Sequence, residues 1–181
     1  GVSKIKKMEI EINDDGICDI ADLANECRVL KKTKGLDGIF VDYLQLMQDR
    51  TIKDNKRLEI GSITRKCKAL AKELDVPFVL LSQCSRKCED RNDKRPWLSD
   101  LAESGDIEAN ADVIQFVYRD EYYEPDTPSK GIIEIITRKY RDGEPGTDYC
   151  NFIGANNQIK DLVNGYTPPP KEEYKPKKRG F

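Results

Sequence analysis

An acidic residue ends an apolar run in the stretch GIFVDYLQLM, which covers Gly38 to Met47. The run has the composition of a buried strand, and it stops at Asp42. Burying an ionised carboxylate costs free energy unless a partner or a metal ion compensates for its lost hydration. Asp42 therefore lies at an edge of the sheet, or it holds a ligand. A solvated turn or cap is the simpler interpretation of one such acid taken alone.

Three further polar side chains stand where they could bind an anion. Gln83 ends the next apolar run, PFVLLSQ, and its amide can both donate and accept hydrogen bonds. Lys139 and Arg141 are two residues apart in RKYRDG, so an extended backbone would point both cations to the same face. Fixed cations of this kind stabilise charge on a phosphate. For Gln83, the alternative is a polar residue that begins a loop. For the two cations, the alternative is solvated charge at a turn.

The composition excludes several kinds of site. The 181 residues contain no histidine, which excludes Ser-His-Asp and Cys-His catalysis. The six cysteines include no C-x-x-C pair, so reduced thiols are a simpler interpretation than a zinc site. With 31 basic and 33 acidic residues the net charge is -2, so any nucleic acid must be bound by local loops. No apolar run reaches membrane-spanning length and no signal peptide is evident, so we expect a soluble intracellular protein.

The elements around these residues predict an α/β fold. Apolar residues recur at intervals of three and four from Ile60 to Leu74, which predicts an amphipathic helix between the two apolar runs. Near-continuous apolar strands separated by single helices are typical of a mostly parallel sheet that helices cover on both faces. Ligands of such sheets bind at the carboxyl ends of the strands. Asp42 and Gln83 lie at those ends.

Other segments complete the expected fold. Met8 to Ile12 alternates as a short strand, and a helix with Asp19 as its N-cap follows and ends near Gly35. DVIQFVYR predicts a third strand, and GIIEIITRKYRDGEPGTDYCNFI predicts a C-terminal β-hairpin. The predicted loops are 48–57 and 84–105. Residues 1–166 are expected to form one domain, and the basic, proline-rich residues 167–181 a disordered tail.

Four blocks of this sequence together resemble the bacterial replicative DNA helicases of the DnaB family. They are GIFVDYLQLM, LEIGSITRKCKALAKELDVPFVLLSQCSR, DKRPWLSDLAESGDIEANADVIQFVYRDEYY and RKYRDGEPGT. They occur in the order and spacing of the family, and the resemblance runs from about Met8 to about Asp161.

The resemblance implies part of a RecA-like P-loop NTPase core. Family members form hexameric rings that encircle single-stranded DNA and unwind the duplex with ATP and Mg²⁺, together with a primase and a helicase loader in the cytoplasm of a bacterium or its phage or plastid equivalent. The phosphate-binding motif G-x4-G-K-[ST] does not occur in these residues, because the dipeptide Gly-Lys is absent. The chain is therefore expected to be the C-terminal half of a motor domain, inactive by itself. The alternative is a P-loop-less RecA-like module that regulates a helicase ring or binds DNA.

The resemblance also assigns roles to the residues described above. Asp42 matches the Walker B acid, which holds Mg²⁺ through water, and Gln83 matches a sensor of the γ-phosphate. Arg141 matches an arginine finger that reaches the nucleotide of a neighbouring subunit, and Lys139 a second γ-phosphate contact.

Two segments match the DNA-contacting loops of the family. The candidate DNA-binding residues are Arg50, Lys53, Arg86, Lys87, Glu103, Ser104 and Gly105. Ala102 stands where the family has an arginine, which removes one charge-assisted phosphate contact. Either the basic residues of 86–95 compensate, or DNA affinity is reduced. Mixed charge in such loops is also typical of solvent-exposed residues that bind nothing.

Overall fold

The computed structural model describes residues 8–101 and 104–162, and the chain forms two compact units within them. The first unit comprises 8–87 and 98–111, and the second comprises 88–97 and 112–162. Glu103 and the expected tail, 167–181, lie outside the described residues. The assignment of 1–166 to one domain stays a prediction.

The first unit contains two pairs of parallel strands and three helices. Strand β2 pairs with β4, and β1 pairs with β3. The elements are β1 (Cys18–Asp19), α1 (Ile20–Thr33), β2 (Ile39–Val41), β3 (Met47–Gln48), α2 (Lys56–Leu74), β4 (Phe78–Leu80) and α3 (Ser104–Asn110). The α/β fold class with parallel strands and flanking helices is confirmed.

The ends of the two long helices follow from their sequences. The side chain of Asp19 accepts a hydrogen bond from the backbone of Ala21 and caps α1, as the sequence predicts. Beyond the end of that helix, Gly35 has a φ of +87°, a conformation that glycine adopts without strain. Asn55 caps α2, so the helix begins within the predicted loop 48–57 and includes Lys56 and Arg57. The end of that loop is therefore wrong in the sequence-based prediction.

The core of the first unit lies on one face of the β2–β4 pair. Cys27 of α1, Ile39 of β2 and Leu70 of α2 are buried together there. Because both helices pack on this face, the side chains of the opposite face remain exposed in the described part of the chain. Phe40 is 78% exposed and its partner in the register, Val79, is 40% exposed. The expectation that helices cover both faces is not met among these residues.

The second unit is built on a four-stranded antiparallel sheet with the order β5-β6-β7-β8. Its strands are β5 (Val113–Tyr118), β6 (Ile132–Tyr140), β7 (Gly146–Ile153) and β8 (Gln158–Lys160). The predicted hairpin is confirmed as β6 and β7, and the predicted third strand as β5. The register of β5 on β6 shifts between Ile114 and Gln115, and Arg138 is the extra residue.

The segment 88–97 belongs to the second unit because two arginines tie it to β6. Arg95 forms a bidentate ion pair with Glu134, with distances of 2.6 and 2.9 Å. Arg138 donates a hydrogen bond to the carbonyl of Pro96 and stacks on the ring of Trp97 at 4.0 Å. Trp97 therefore has the packing role that is usual for a tryptophan beside a proline.

The predicted strand from Met8 to Ile12 is wrong. These residues lie outside every strand, and no described backbone hydrogen bond joins them to a neighbouring strand. Alternation alone does not form a strand, since the ladder needs a partner. The predicted loop 84–105 contains short 3₁₀ turns at Arg86–Asp90 and Leu98–Asp100, and its predicted end is wrong because α3 begins at Ser104. Among the described helices, none combines the length and the apolar character that crossing a bilayer requires.

Candidate functional site

Asp42 and Gln83 both follow the carboxyl ends of paired parallel strands. The register places Val41 of β2 beside Leu80 of β4, and the pairing continues as Leu81 donates a hydrogen bond to the carbonyl of Val41. Asp42 is exposed, and the structure shows no ion pair for it among the described residues. The geometry therefore matches the predicted edge position of the acid.

A lone exposed carboxylate is compatible with magnesium bound to a nucleotide. Mg²⁺ keeps most of its water in such sites and needs one or two carboxylates besides the phosphate oxygens. Within residues 8–101 and 104–162 no group of three or more potential metal ligands occurs. Asp42 thus suits a metal that arrives with its own phosphate ligands rather than one held by a protein cage.

Gln45 connects the two strand ends, and the sequence-based reasoning gave it no role. Its side-chain nitrogen lies 3.3 Å from the hydroxyl of Ser82, and its side-chain oxygen accepts a hydrogen bond from the backbone of Gln83 at 3.3 Å. The amide of Gln83 itself remains exposed. A polar residue inside the apolar stretch YLQLM is the signal that could have identified Gln45.

Lys139 and Arg141 lie at the end of β6 in the second unit. Lys139 is half-buried beside Ile114, and Arg141 directly follows the last residue of the strand. The backbone N–H of Arg141 donates to the carbonyl of Asp112 at 2.9 Å, and its guanidinium contacts the carboxylate of Asp112 at 3.0 Å. The Arg141 side chain is 48% exposed. Asp112 is a partner of Arg141 that sequence analysis did not identify.

The candidate DNA-binding residues Arg50 and Lys53 lie in different surroundings. The guanidinium of Arg50 contacts the carboxylate of Asp22 at 2.9 Å and that of Asp19 at 3.6 Å. Lys53 is exposed and follows in the same loop. Two acids therefore partly neutralise Arg50, while Lys53 projects from the loop as a solvated cation.

The remaining candidates lie in the chain between the end of β4 and the first turn of α3. Arg86 and Lys87 are exposed, and the backbone of Lys87 donates to the hydroxyl of Ser85. Gly105 is exposed in the first turn of α3, and the backbone of Ser104 begins that helix. Glu103 lies outside the described residues, as does the side chain of Ser104. The DNA-contact roles of all these residues stay predictions.

The tyrosines after β5 pack on one another. Tyr118 and Tyr123 stack with a centroid distance of 5.8 Å, and Arg95 lies 4.8 Å from the Tyr118 ring. Burial raises the pKa of Tyr118, and the hydrogen bond that its hydroxyl donates to Asp120 raises it further. A cavity of about 200 Å³ opens beside these rings and Arg119. The motif YRDEYY therefore has a clear packing role within the second unit.

Comparison with known families and proteins gives matches over most of this chain. The family model described as DnaB-like helicase C terminal domain matches residues 1–161. The replicative DNA helicase DnaB of Geobacillus stearothermophilus is 47% identical over 154 residues, which are 84% of this chain and 34% of the relative. The same helicase from Haemophilus influenzae is 50% identical over 136 residues, or 75% of this chain and 29% of the relative. The chain therefore spans about a third of the length of these relatives.

Solved structures show the same similarity. A solved structure described as an ATPase domain superposes with a TM-score of 0.83 at 40% identity, over 90% of this chain and 58% of that chain. A DnaB-like replicative helicase studied with its primase gives the same TM-score and identity over 90% of this chain and 39% of the other. The residues that the family model matches, 1–161, include described parts of both units. By sequence and by structure, the chain belongs to the family of DnaB-like helicase C-terminal domains.

Proposed function

We propose that the chain is part of the motor of an ATP-dependent replicative DNA helicase, which translocates on single-stranded DNA and unwinds the duplex. The observation that carries the proposal is the exposed carboxylate of Asp42 at the carboxyl edge of the β2–β4 pair, next to the end of the strand that leads to Gln83. This is the edge at which parallel sheets bind their ligands. The family of the chain supports the same assignment.

In this proposal Asp42 holds the water shell of the Mg²⁺ that accompanies ATP. The metal neutralises charge on the phosphates when it is bound. The carboxylate can do so because no described side chain competes for it as an ion pair. Gln45 holds the backbone of Gln83, so the Gln83 amide is directed from a fixed strand end toward the γ-phosphate. A change in the nucleotide would then move the segment that begins at Gln83.

Arg141 and Lys139 act on the nucleotide of the neighbouring subunit. An arginine finger must leave its own surface and reach a partner, and the half-exposed Arg141 side chain permits this. Asp112 holds both the backbone and the guanidinium of Arg141, which limits the positions that the finger samples. Lys139, near the end of β6, supplies a second cation.

The other expectations belong to the same proposal. Arg50, Lys53, Arg86, Lys87, Glu103, Ser104 and Gly105 contact the backbone of single-stranded DNA within a hexameric ring. Primase and a helicase loader are the protein partners, and the cytoplasm is the compartment. One similar structure is that of a DnaB-like helicase with interactions with primase, which supports the first of these partners.

The experiment measures DNA-stimulated ATP hydrolysis in a protein that carries this chain together with the rest of the length of its relatives. Asp42→Ala should reduce the rate to near background. Arg141→Ala should reduce it by about a thousandfold, since arginine fingers contribute at least that factor. Asp37→Ala and Lys130→Ala are matched controls, because both side chains are exposed and lie outside the site. Full activity in either of the first two variants would refute the assigned roles.

A further inference from the structure

Asp49 is a buried carboxylate of the first unit with several hydrogen-bond donors around it. It directly follows β3 and is only 2% exposed. One oxygen accepts from the backbone N–H and the hydroxyl of Thr51, at 3.1 and 2.6 Å. The other accepts from the hydroxyl of Ser62 at 2.7 Å and from the ammonium group of Lys66 at 2.6 Å. Four donors thus surround one buried acid.

These contacts fasten the loop after β3 to helix α2. Ser62 and Lys66 are four residues apart, so they lie on one face of the helix. Glu59, one turn earlier, accepts a hydrogen bond from the backbone of Asp49 at 3.0 Å. The backbone of Ile52 donates to the carbonyl of Asp49 at 2.9 Å and closes the turn. Two turns of α2 therefore hold the start of the loop.

A second attachment fixes the following residue. The backbone N–H of Arg50 donates to the carboxylate of Asp19, the N-cap of α1, at 3.1 Å. The loop is consequently bound to both long helices before its cations reach solvent. A loop that is already ordered loses less conformational entropy when it binds a ligand.

Burial of an acid costs free energy unless hydrogen bonds or an ion pair compensate for its lost hydration. Burial alone would raise the pKa of Asp49, but the hydrogen bonds from Lys66, Thr51 and Ser62 outweigh it and hold that pKa well below its ordinary value. The acid is therefore ionised at neutral pH. The hydrogen bonds that keep it ionised all come from the loop itself and from helix α2, so they fix the loop on the helix.

We propose that Asp49 is a positioning residue that holds the loop of Arg50 and Lys53 in the conformation that binds the phosphate backbone of single-stranded DNA. The proposal rests on the DNA contact assigned above to the same loop. Neither oxygen of Asp49 touches the nucleic acid. The carboxylate acts through the backbone of residues 49–52, whose conformation sets the direction of the Lys53 side chain.

The experiment measures binding of a fluorescent oligothymidine by anisotropy over a series of salt concentrations, in a protein that carries this chain together with the rest of the length of its relatives. Lys53→Ala should weaken binding and reduce the salt slope by about one, the effect of one lost phosphate contact. Asp49→Asn should weaken binding about tenfold, although it leaves every cation of the loop in place. The most informative measurement is the affinity of the double variant. When Asp49→Asn retains the fold, Lys53→Ala should have little further effect in its presence, whereas independent contributions would add.

Matched variants separate the possible results. Asp37→Asn, an exposed acid outside the loop, should bind as the unchanged chain does. Thr51→Val removes one donor but keeps the ion pair with Lys66, so it should give a smaller loss in the same direction even if Asp49→Asn does not fold. Additive effects of Asp49→Asn and Lys53→Ala would overturn the positioning role alone. Failure of the unchanged chain to bind, or no effect of Lys53→Ala, would overturn the DNA contact and this inference with it.

Discussion

Replacing Glu134 with glutamine is expected to destabilise the second unit by about 3 kcal/mol, because it breaks a buried ion pair. The Glu134 side chain is 4% exposed and makes two short contacts to Arg95. Removing one partner of such a pair costs about 3–5 kcal/mol. The lower value applies because the Arg95 side chain is 23% exposed and keeps a contact to Asp93 at 3.2 Å.

The assay is urea unfolding followed by tryptophan fluorescence. Trp97 is the one tryptophan of the sequence and stacks on Arg138 in the second unit, so its emission reports on the unit that contains the ion pair. Asp148→Asn changes an exposed acid on β7 of the same sheet and should stay within about 0.5 kcal/mol. The double variant Arg95→Met, Glu134→Leu should recover most of the loss, since apolar replacements remove both charges. A loss below about 1 kcal/mol for Glu134→Gln would refute the reasoning, because it lies below the range for a broken buried pair.

Three further predictions concern the first unit. Gly61→Ala should by itself increase the free energy of unfolding little, because the new Cβ would lie 2.9 Å from the carboxylate of Asp106. With Asp106→Ala present, the same substitution should increase it by about 1 kcal/mol in the same urea titration, which is the difference in helix propensity between glycine and alanine. Because the pKa of Asp49 is lowered in the folded state, its contribution to stability is present above the unfolded pKa of about 4 and is lost as the pH falls further. The stability difference between the unchanged chain and Asp49→Asn should therefore be constant from about pH 8 to 5 and shrink below about pH 4; a difference that grows in acid would contradict the lowered pKa. Asp22→Asn should tighten oligothymidine binding, because it releases Arg50 from its closest acid, and unchanged affinity would show that Arg50 does not contact DNA.

Local signals in the sequence predicted α1, α2 and the hairpin well, but not the short helix α3. Asp19 caps α1 and the β6–β7 hairpin forms where expected, since caps and turns depend on neighbouring residues. The carboxyl edge with Asp42 and Gln83 was also predicted from local signals, because one apolar run before a helix and one after it predict parallel strands.

Contacts between distant residues could not be predicted. The link from Gln45 to Ser82 spans 37 positions, and the pair of Arg95 and Glu134 spans 39. No local sequence pattern predicts such partners, because the register of distant strands and loops decides which residues meet. The strand predicted from Met8 to Ile12 failed in the same way, since alternation specifies a face but supplies no partner.

The exposed face of β2 also shows where an apolar pattern misleads. A continuous apolar run predicts burial on both sides, yet Phe40 is 78% exposed in the described structure. The apolar pattern indicates which side chains are suited to burial. The packing of α1 and α2 decides which of these side chains are buried in the described structure.

In the proposed function, Asp42 of one subunit and Arg141 of the next act on one nucleotide. The most direct test co-expresses Asp42→Ala and Arg141→Ala forms of the protein extended to the length of its relatives, and measures ATP hydrolysis by the mixed rings. Each variant alone should be inactive. Random pairing leaves both residues intact at about a quarter of the head-to-tail boundaries, so the mixture should recover activity near that fraction. Mixed rings that remain as inactive as their parents would contradict a site shared between subunits.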